Sequence, residues 1–257
     1  MNIRTNLTAY KTIVYKEILR FIRIWLQTII PPAVMMSLYF IIFGRLIGEQ
    51  IGDVQQFTYM DYIVPGLILM SVITNSYANV VSSFYSTKFH RHIEELLISP
   101  ISNFTIIAGY ISGGVARGVC VGSVVAFVAW LFTDIQLANP VIAIIVIILT
   151  AILFSLGGFI NAIFANSFDD ISIVPTFVLT PLTYLGGVFY SIEMLSPFWQ
   201  QVSSLNPVMY MVNLFRYGLL GISDTGIMTG FLIIIAFILL LGFISLLLLK
   251  KGIGIKS

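Results

Sequence analysis

Residues 227–249 read IMTGFLIIIAFILLLGFISLLLL, residues 140–165 read PVIAIIVIILTAILFSLGGFINAIFA, and neither run holds a charged side chain. A helix needs roughly 20 predominantly apolar residues to cross about 30 Å of hydrocarbon, so each run is long enough to span a bilayer. The rest of the chain agrees. Of 257 residues, 58% are hydrophobic and 9% are charged, and the mean hydropathy is +1.01; a soluble domain carries about 25% charged residues. A chain of this length has no interior large enough to hide so much apolar surface from water. Lipid is the expected solvent, and in lipid a lone segment satisfies its own backbone only as a helix.

Six stretches meet the length requirement, at about 24–44, 58–84, 103–133, 140–165, 171–190 and 227–249. The fifth is interrupted by Pro175 and Pro181. The expected fold is all-α, a polytopic membrane protein with one domain over residues 1–257, since no internal repeat or linker divides it. Basic residues orient it. With the N-terminus in the cytoplasm, that side holds Arg4, Lys11, Lys16, Arg20, Arg23, Lys88, Arg91, Lys250, Lys251 and Lys256, ten of the thirteen lysines and arginines. Arg45 and Arg216 then lie outside and Arg117 within a span. The reverse orientation breaks the positive-inside rule, so both termini are expected in the cytoplasm. Arg4, Lys11 and Lys16 precede the first long run, and no small-residue cleavage site follows a short one; this reads as a first span, not a removable signal peptide. Cys120, the single cysteine, lies in the third stretch and has no partner for a disulfide.

Residues 5–23 have a different pattern. Leu7, Tyr10, Val14, Ile18, Phe21 and Trp25 recur every three or four positions, while Lys16, Arg20 and Arg23 form a cationic face. Such a basic amphipathic helix belongs in the membrane interface; a charged lead-in to the first span is the plainer reading. In the third stretch Gly114, Gly118 and Gly122 repeat every four residues beside Gly113, a pattern that lets another helix approach closely. Packing within the chain is the expected use.

No G-x-x-x-x-G-K-[ST] loop is present, so nucleotide chemistry would have to come from another chain. The richest cytoplasmic segment is YSTKFHRHIEELLISPIS, residues 85–102. It reads as a short two-sided helix ending at Pro100, either docking a partner or serving as a solvated connector. His90 and His92, at i and i+2, point to different faces and do not form a metal pair. In the second stretch Ser71, Asn75, Asn79 and Ser82 form a polar stripe, which either lines a pathway or bonds neighbouring helices inside a static bundle. Asp169 and Asp170 fall in a cytoplasmic turn, where a helix cap is the expected role. Residues 186–226 are too apolar for a loop yet are broken by Pro197 and Pro207. With Phe198, Trp199, Tyr210, Phe215 and Tyr217 they read as short helices dipping into the outer leaflet.

Six spans, an N-terminal interfacial helix, a charged helix after span two and a broken outer segment before span six resemble the type-2 ABC exporter permeases. FDDISIVPTFVLTPLTYLGGVFYS (168–191), FWQ (198–200), LNP (205–207) and FRYG (215–218) are similar to that family's C-terminal signature, and MDYIVPGLILMSVITNSYANV (60–80) with HRHIEELLISP (90–100) extends the likeness. The resemblance implies a half-transporter of the bacterial inner membrane. Two copies would pair as a homodimer and bind separate ATPase subunits that hold ATP and Mg²⁺, leaving no cofactor and no enzymatic step on this chain. Lys88, His90, Arg91, His92, Glu94 and Glu95 would couple to the ATPase. The helix bearing Lys16, Arg20 and Arg23 would lie against membrane lipid and also touch it. Spans two and five would line the path, through Ser71, Asn75, Asn79 and Ser82 and through Thr176, Thr180 and Thr183. Outer re-entrant helices containing Glu193, Phe198 and Trp199 would close its external end. The cargo would be glycan, lipid or drug-like, and nucleic acid is not an expected partner.

Two other classes compete. An ion- or proton-coupled secondary transporter needs ionisable groups at a midplane cavity, and Arg117 is the only deep one evident in the sequence. A membrane enzyme acting on lipid needs a catalytic cluster, and nothing near Asp169 with Asp170, the carboxylate pair to start from, completes one.

Overall fold

The computed structural model describes residues 3–133 and 137–254, apart from the side chains of residues 44–47 and 49; Arg45 and Lys256, assigned above, lie outside the described set. Helix α1 covers Ile3–Arg23. The chain breaks at Ile24 and Ile29 around the short α2 (Trp25–Thr28), then continues as α3 (Ile30–Tyr39). Pro31 and Pro32 cause the second break: they sit in the first turn of α3, where missing N–H groups cost nothing, and they disfavour helix just before them. A wide π-helical turn, Phe40–Ile47, and the one-turn α4 (Gly48–Ile51) lead to a hairpin, β1 (Asp53–Val54) with β2 (Phe57–Thr58).

Helix α5 (Tyr59–Phe89) is the longest element, with 31 residues. The Thr58 hydroxyl caps it by accepting from the Asp61 N–H at 3.2 Å. After the short α6 (His92–Ile98) come α7 (Asn103–Trp130) and α8 (Pro140–Phe164). The next helical run is three five-residue pieces, α9 (Asp170–Val174), a π-helical turn (Pro175–Leu179) and α10 (Thr180–Tyr184). Proline lacks the N–H of the regular ladder, and the widened turn between Pro175 and Pro181 accommodates that loss. A 3₁₀ turn (Ile192–Met194), α11 (Pro197–Ser204), α12 (Pro207–Leu220) and α13 (Ile227–Lys251) complete the chain.

Among the described residues five helices are long and apolar enough to cross a membrane: Trp25–Phe43, α5, α7, α8 and α13. The protein is mostly helical and multi-pass. The run 170–184 does not reach that threshold. Helix α5 is the axis of the bundle, burying 83% of its most apolar stretch against α7, α8 and α12, while α13 buries only 17% and turns Leu232, Leu239 and Phe243 outward. Large exposed apolar side chains on a perimeter helix suit a lipid surround.

The glycines of α7 make the tight centre possible. A Cβ at Gly118 would collide with the Ser76 hydroxyl of α5 and lie 3.3 Å from the Val72 carbonyl; one at Gly113 would collide with Glu17 of α1. The spacing thus serves contacts within one chain. We expect Gly118→Val to lower the melting temperature in detergent, through a packing cost of about 1–3 kcal/mol. Gly242→Ala, where an added Cβ meets nothing within 4 Å, should leave it unchanged or slightly raised; equal losses in both variants would refute the close-packing account.

Candidate functional site

Three polar assemblies stand out, one at each end of the bundle and one in its interior. At the first end, α5 stops at Phe89, and Arg91 takes a left-handed conformation (φ 59°) that turns the chain into α6. Ile93 of α6 is buried, whereas Arg91, His92, Glu94 and Glu95 are exposed. The sequence places Lys88 with these groups; in the structure it belongs to α5 and points the other way. Its ammonium donates to the Ile163 and Ala165 carbonyls, both at 2.7 Å, closing the C-terminal end of α8. His90 is exposed at the turn, its ring centroid 6.1 Å from that of His92. Beside α8, Asp170 and Ser167 cap one another: the Asp170 N–H donates to the Ser167 hydroxyl, which donates back to the carboxylate. The Asn166 N–H and then the Ser167 hydroxyl hold the Asp170 carboxyl below the usual carboxylate range.

The second assembly is a seam between α1, α5 and α7. Helix α1 runs parallel to α7, with Asn6 Oδ1 accepting from the Ser102 N–H, Tyr10 and Ser112 sharing a hydrogen bond of 2.8 Å, and Glu17 against Gly113. Glu17 is fully buried. Its carboxylate accepts from Ser83 and from Asn79 Nδ2 and pairs with Arg20 at 3.4 Å. Arg20 also donates to the Asn79 carbonyl at 2.7 Å, to Asn79 Oδ1 at 2.9 Å and to Ser82 at 3.2 Å. Arg117 of α7 donates to Asn75 Oδ1 at 3.1 Å, which supplies the partner its sequence position did not reveal. Ser71 donates to the Leu67 carbonyl of its own helix. Of the polar stripe on α5, Asn75, Asn79 and Ser82 therefore bond α1 or α7. Lys16 and Arg23 remain exposed on α1, and Arg20 turns inward. Along the broken run, Thr176 and Thr180 are exposed, while Thr183 is buried and donates to the Thr180 carbonyl.

The third assembly lies at the far end of α5. Arg216 of α12, also fully buried, stacks 3.9 Å above the Tyr62 ring. It donates to the Gly187 carbonyl at 2.8 Å and to Asn213 Oδ1 at 3.2 Å, with Asp224 at 4.0 Å. Asp224 accepts in turn from Ser191, from the Ile192 N–H and from Gln55 in the hairpin. This knot ties five separate segments together. Glu193, Phe198 and Trp199 lie exposed beyond it.

No charged group in these assemblies stands in an open cavity with a nucleophile, and all three hold helices in register. They are structural joints of the bundle. Residues 8–220 match the ABC-2 type transporter family.

The chain belongs to that family.

It is the membrane permease component of an ABC transporter, and the family implies an ABC ATPase subunit as partner. The chain is 56% identical over 249 residues, 97% of each protein, to the inner membrane transport permease YadH of Escherichia coli K12. It is 25% identical over 211 residues to nodulation protein J of Neorhizobium galegae, covering 81% of this chain and 80% of that one. The corresponding protein of Rhizobium leguminosarum bv. viciae is 23% identical over 179 residues, 69% of each. Within this ABC-2 permease, Glu17, Ser83, Tyr62 and Asp224 are the joint residues that sequence reading passed over. Glu17 between Ile13 and Phe21 on one face of α1, with Arg20 one turn on, was the available signal.

Proposed function

We propose that the chain is the half-transporter of an ATP-driven exporter in the bacterial inner membrane, pairing with a second copy and with ATPase subunits that hold ATP and Mg²⁺. One observation carries the coupling role: α6 presents Glu94 and Glu95 to solvent on a platform that Ile93 and the Lys88–α8 bonds fix to the bundle. A partner that moves α6 therefore moves α5 and α8 with it. Lys16 and Arg23 are exposed on α1 and would supply the interfacial helix with cations for lipid headgroups or for the ATPase.

The run 171–190 is the fifth of six spans, and both termini are cytoplasmic. The path forms where two copies face each other, along the exposed side of α5 and the broken span. Thr176 and Thr180 suit it through their exposure, and Thr183 through its place on the same short helix as Thr180. Ser71, Asn75, Asn79 and Ser82 then contribute as α5 moves relative to α1 and α7. Helices α11 and α12 are the outer re-entrant pair, with Glu193, Phe198 and Trp199 at the external mouth. The cargo is glycan, lipid or drug-like. Glu17 sits in a packed seam paired with Arg20 and lines no open cavity among the described residues.

The test is the double charge reversal Glu94→Lys with Glu95→Lys. Exposed positions of this kind change stability by no more than about 0.5 kcal/mol, so the variant should purify folded. The expected result is loss of the co-purifying ATPase, or of its stimulation by the permease. Full retention of both would overturn the assignment of α6.

A further inference from the structure

A groove of about 1050 Å³ runs along the side of the bundle, outside the three assemblies, between α1, α7, α8 and α13. Its floor is made of truncated side chains. Ala108, Ser112, Ala116 and Ser123 fall on one face of α7, and Gly242 of α13 has nothing within 4 Å of where a Cβ would stand. The walls are isoleucine, leucine, valine and phenylalanine. From Phe104 to Ser123 the lining extends about 29 Å along α7 at 1.5 Å per residue, close to the thickness of the hydrocarbon. An apolar trough of that length in a bilayer holds hydrocarbon chains.

One end of the groove is charged. Val14 and Ile18 of α1 line it, and Lys11 is one turn before Val14 on the same stripe. Phe243 and Leu246 of α13 line the opposite wall, and Lys250 is one turn beyond Leu246. Both lysines are exposed and neither forms an ion pair among the described residues. They lie at the same end. Asn6 binds the start of α7 through Ser102, α8 runs antiparallel to α7, and Gly254 just past α13 abuts the Ile163 carbonyl at the end of α8. No acidic residue is among those lining the groove.

We propose that this groove is a binding site for one anionic phospholipid, with its acyl chains along the half of the trough nearest the lysines and its phosphate between Lys11 and Lys250. The leaflet is the one that meets these lysines, the cytoplasmic one on the orientation proposed above. Binding itself depends neither on that orientation nor on the ATPase, so its failure is distinguishable from failure of the transport reading.

The experiment is lipid analysis of the intact chain, purified in mild detergent from vesicles of phosphatidylethanolamine with phosphatidylglycerol. Retained phosphatidylglycerol should be enriched over the vesicle ratio. Lys11→Gln and Lys250→Gln should each reduce that enrichment roughly fivefold, the factor matching one lysine at an anionic surface, with an unchanged melting temperature. Gly242→Leu, which fills the trough, should release the lipid altogether while both lysines stay in place. Retention at the vesicle ratio, or enrichment indifferent to both lysines, would overturn the proposal. So would a photoreactive residue at Phe243 that crosslinks a second copy of this chain in place of lipid.

Discussion

Arg216→Met will lower the melting temperature of the permease in detergent by roughly 10 °C, from a loss of about 3–5 kcal/mol. The arginine is wholly buried, and its removal leaves the Gly187 carbonyl and Asn213 Oδ1 without their donor and Asp224 without its nearest cation. Methionine fills much of the volume, so the loss measures the broken joint and not a cavity. Arg216→Lys should recover little. A lysine ammonium cannot lie flat over the Tyr62 ring while also reaching two acceptors in different directions. Its melting temperature should stay close to that of Arg216→Met. A variant melting within about 2 °C of the native protein would show that the knot contributes little to holding the outer segment.

The second large effect is expected at Glu17. Glu17→Ala removes the acceptor for Ser83 and Asn79 and leaves the half-exposed Arg20 drawn toward the bundle by Asn79 and Ser82 without its counter-charge. A cost of about 2–3 kcal/mol follows, below the range for a fully buried pair because one side of Arg20 meets solvent. Glu17→Gln keeps one of the two acceptor oxygens and sets an NH₂ against the donors at the other, so it should recover part of that cost and not all of it. The decisive measurement is the cycle with Arg20→Gln: partners in one network show a coupling of about 0.5–3 kcal/mol, whereas independent sites add. Additivity within about 0.3 kcal/mol would mean the seam is not a unit. Loss of transport in Glu17→Ala with stability intact would point instead to a part in the moving cycle.

The sequence was most readable where hydropathy alone decides. The stretches 103–133, 140–165 and 227–249 correspond to α7, α8 and α13 with ends displaced by three residues or fewer, because an uninterrupted apolar run has one solution in lipid. Proline blurred the others. The first stretch breaks before Pro31, and the fifth is helical only to Tyr184. The second was read to residue 84, yet α5 continues to Phe89, since polar residues after the apolar run remain helical when neighbours bury them. The glycine spacing of α7 was legible as close packing. Its partners were not, because Glu17, Ser76 and Val72 come from two other segments.

The joints were harder for the same reason. Arg216 read as an outer-side cation and Lys88 as part of the docking helix; both are held by carbonyls from segments 29 to 77 residues distant in sequence. A charge pattern records that a cation is present. Only the fold decides whether its partner is water, lipid or a backbone oxygen. Family resemblance recovered what spacing could not, placing the chain among ABC-2 permeases before its contacts were known.

Helix α5 begins in the Arg216 knot through Tyr62 and ends one turn of chain before α6. It is a single rod of about 46 Å, at 1.5 Å per residue over its 31 residues. Pro65 interrupts its ladder only near the knot, and from there to Phe89 nothing softens it. A stiff rod gripped at its middle by the α7 glycines behaves as a see-saw with a fixed fulcrum. Swinging it by about 5° carries one tip about 4 Å relative to the other, given that length. In a pair of copies such as the one proposed above, drawing the two α6 tips toward each other would spread the two knots apart. Opening on both sides at once would require the rod to bend.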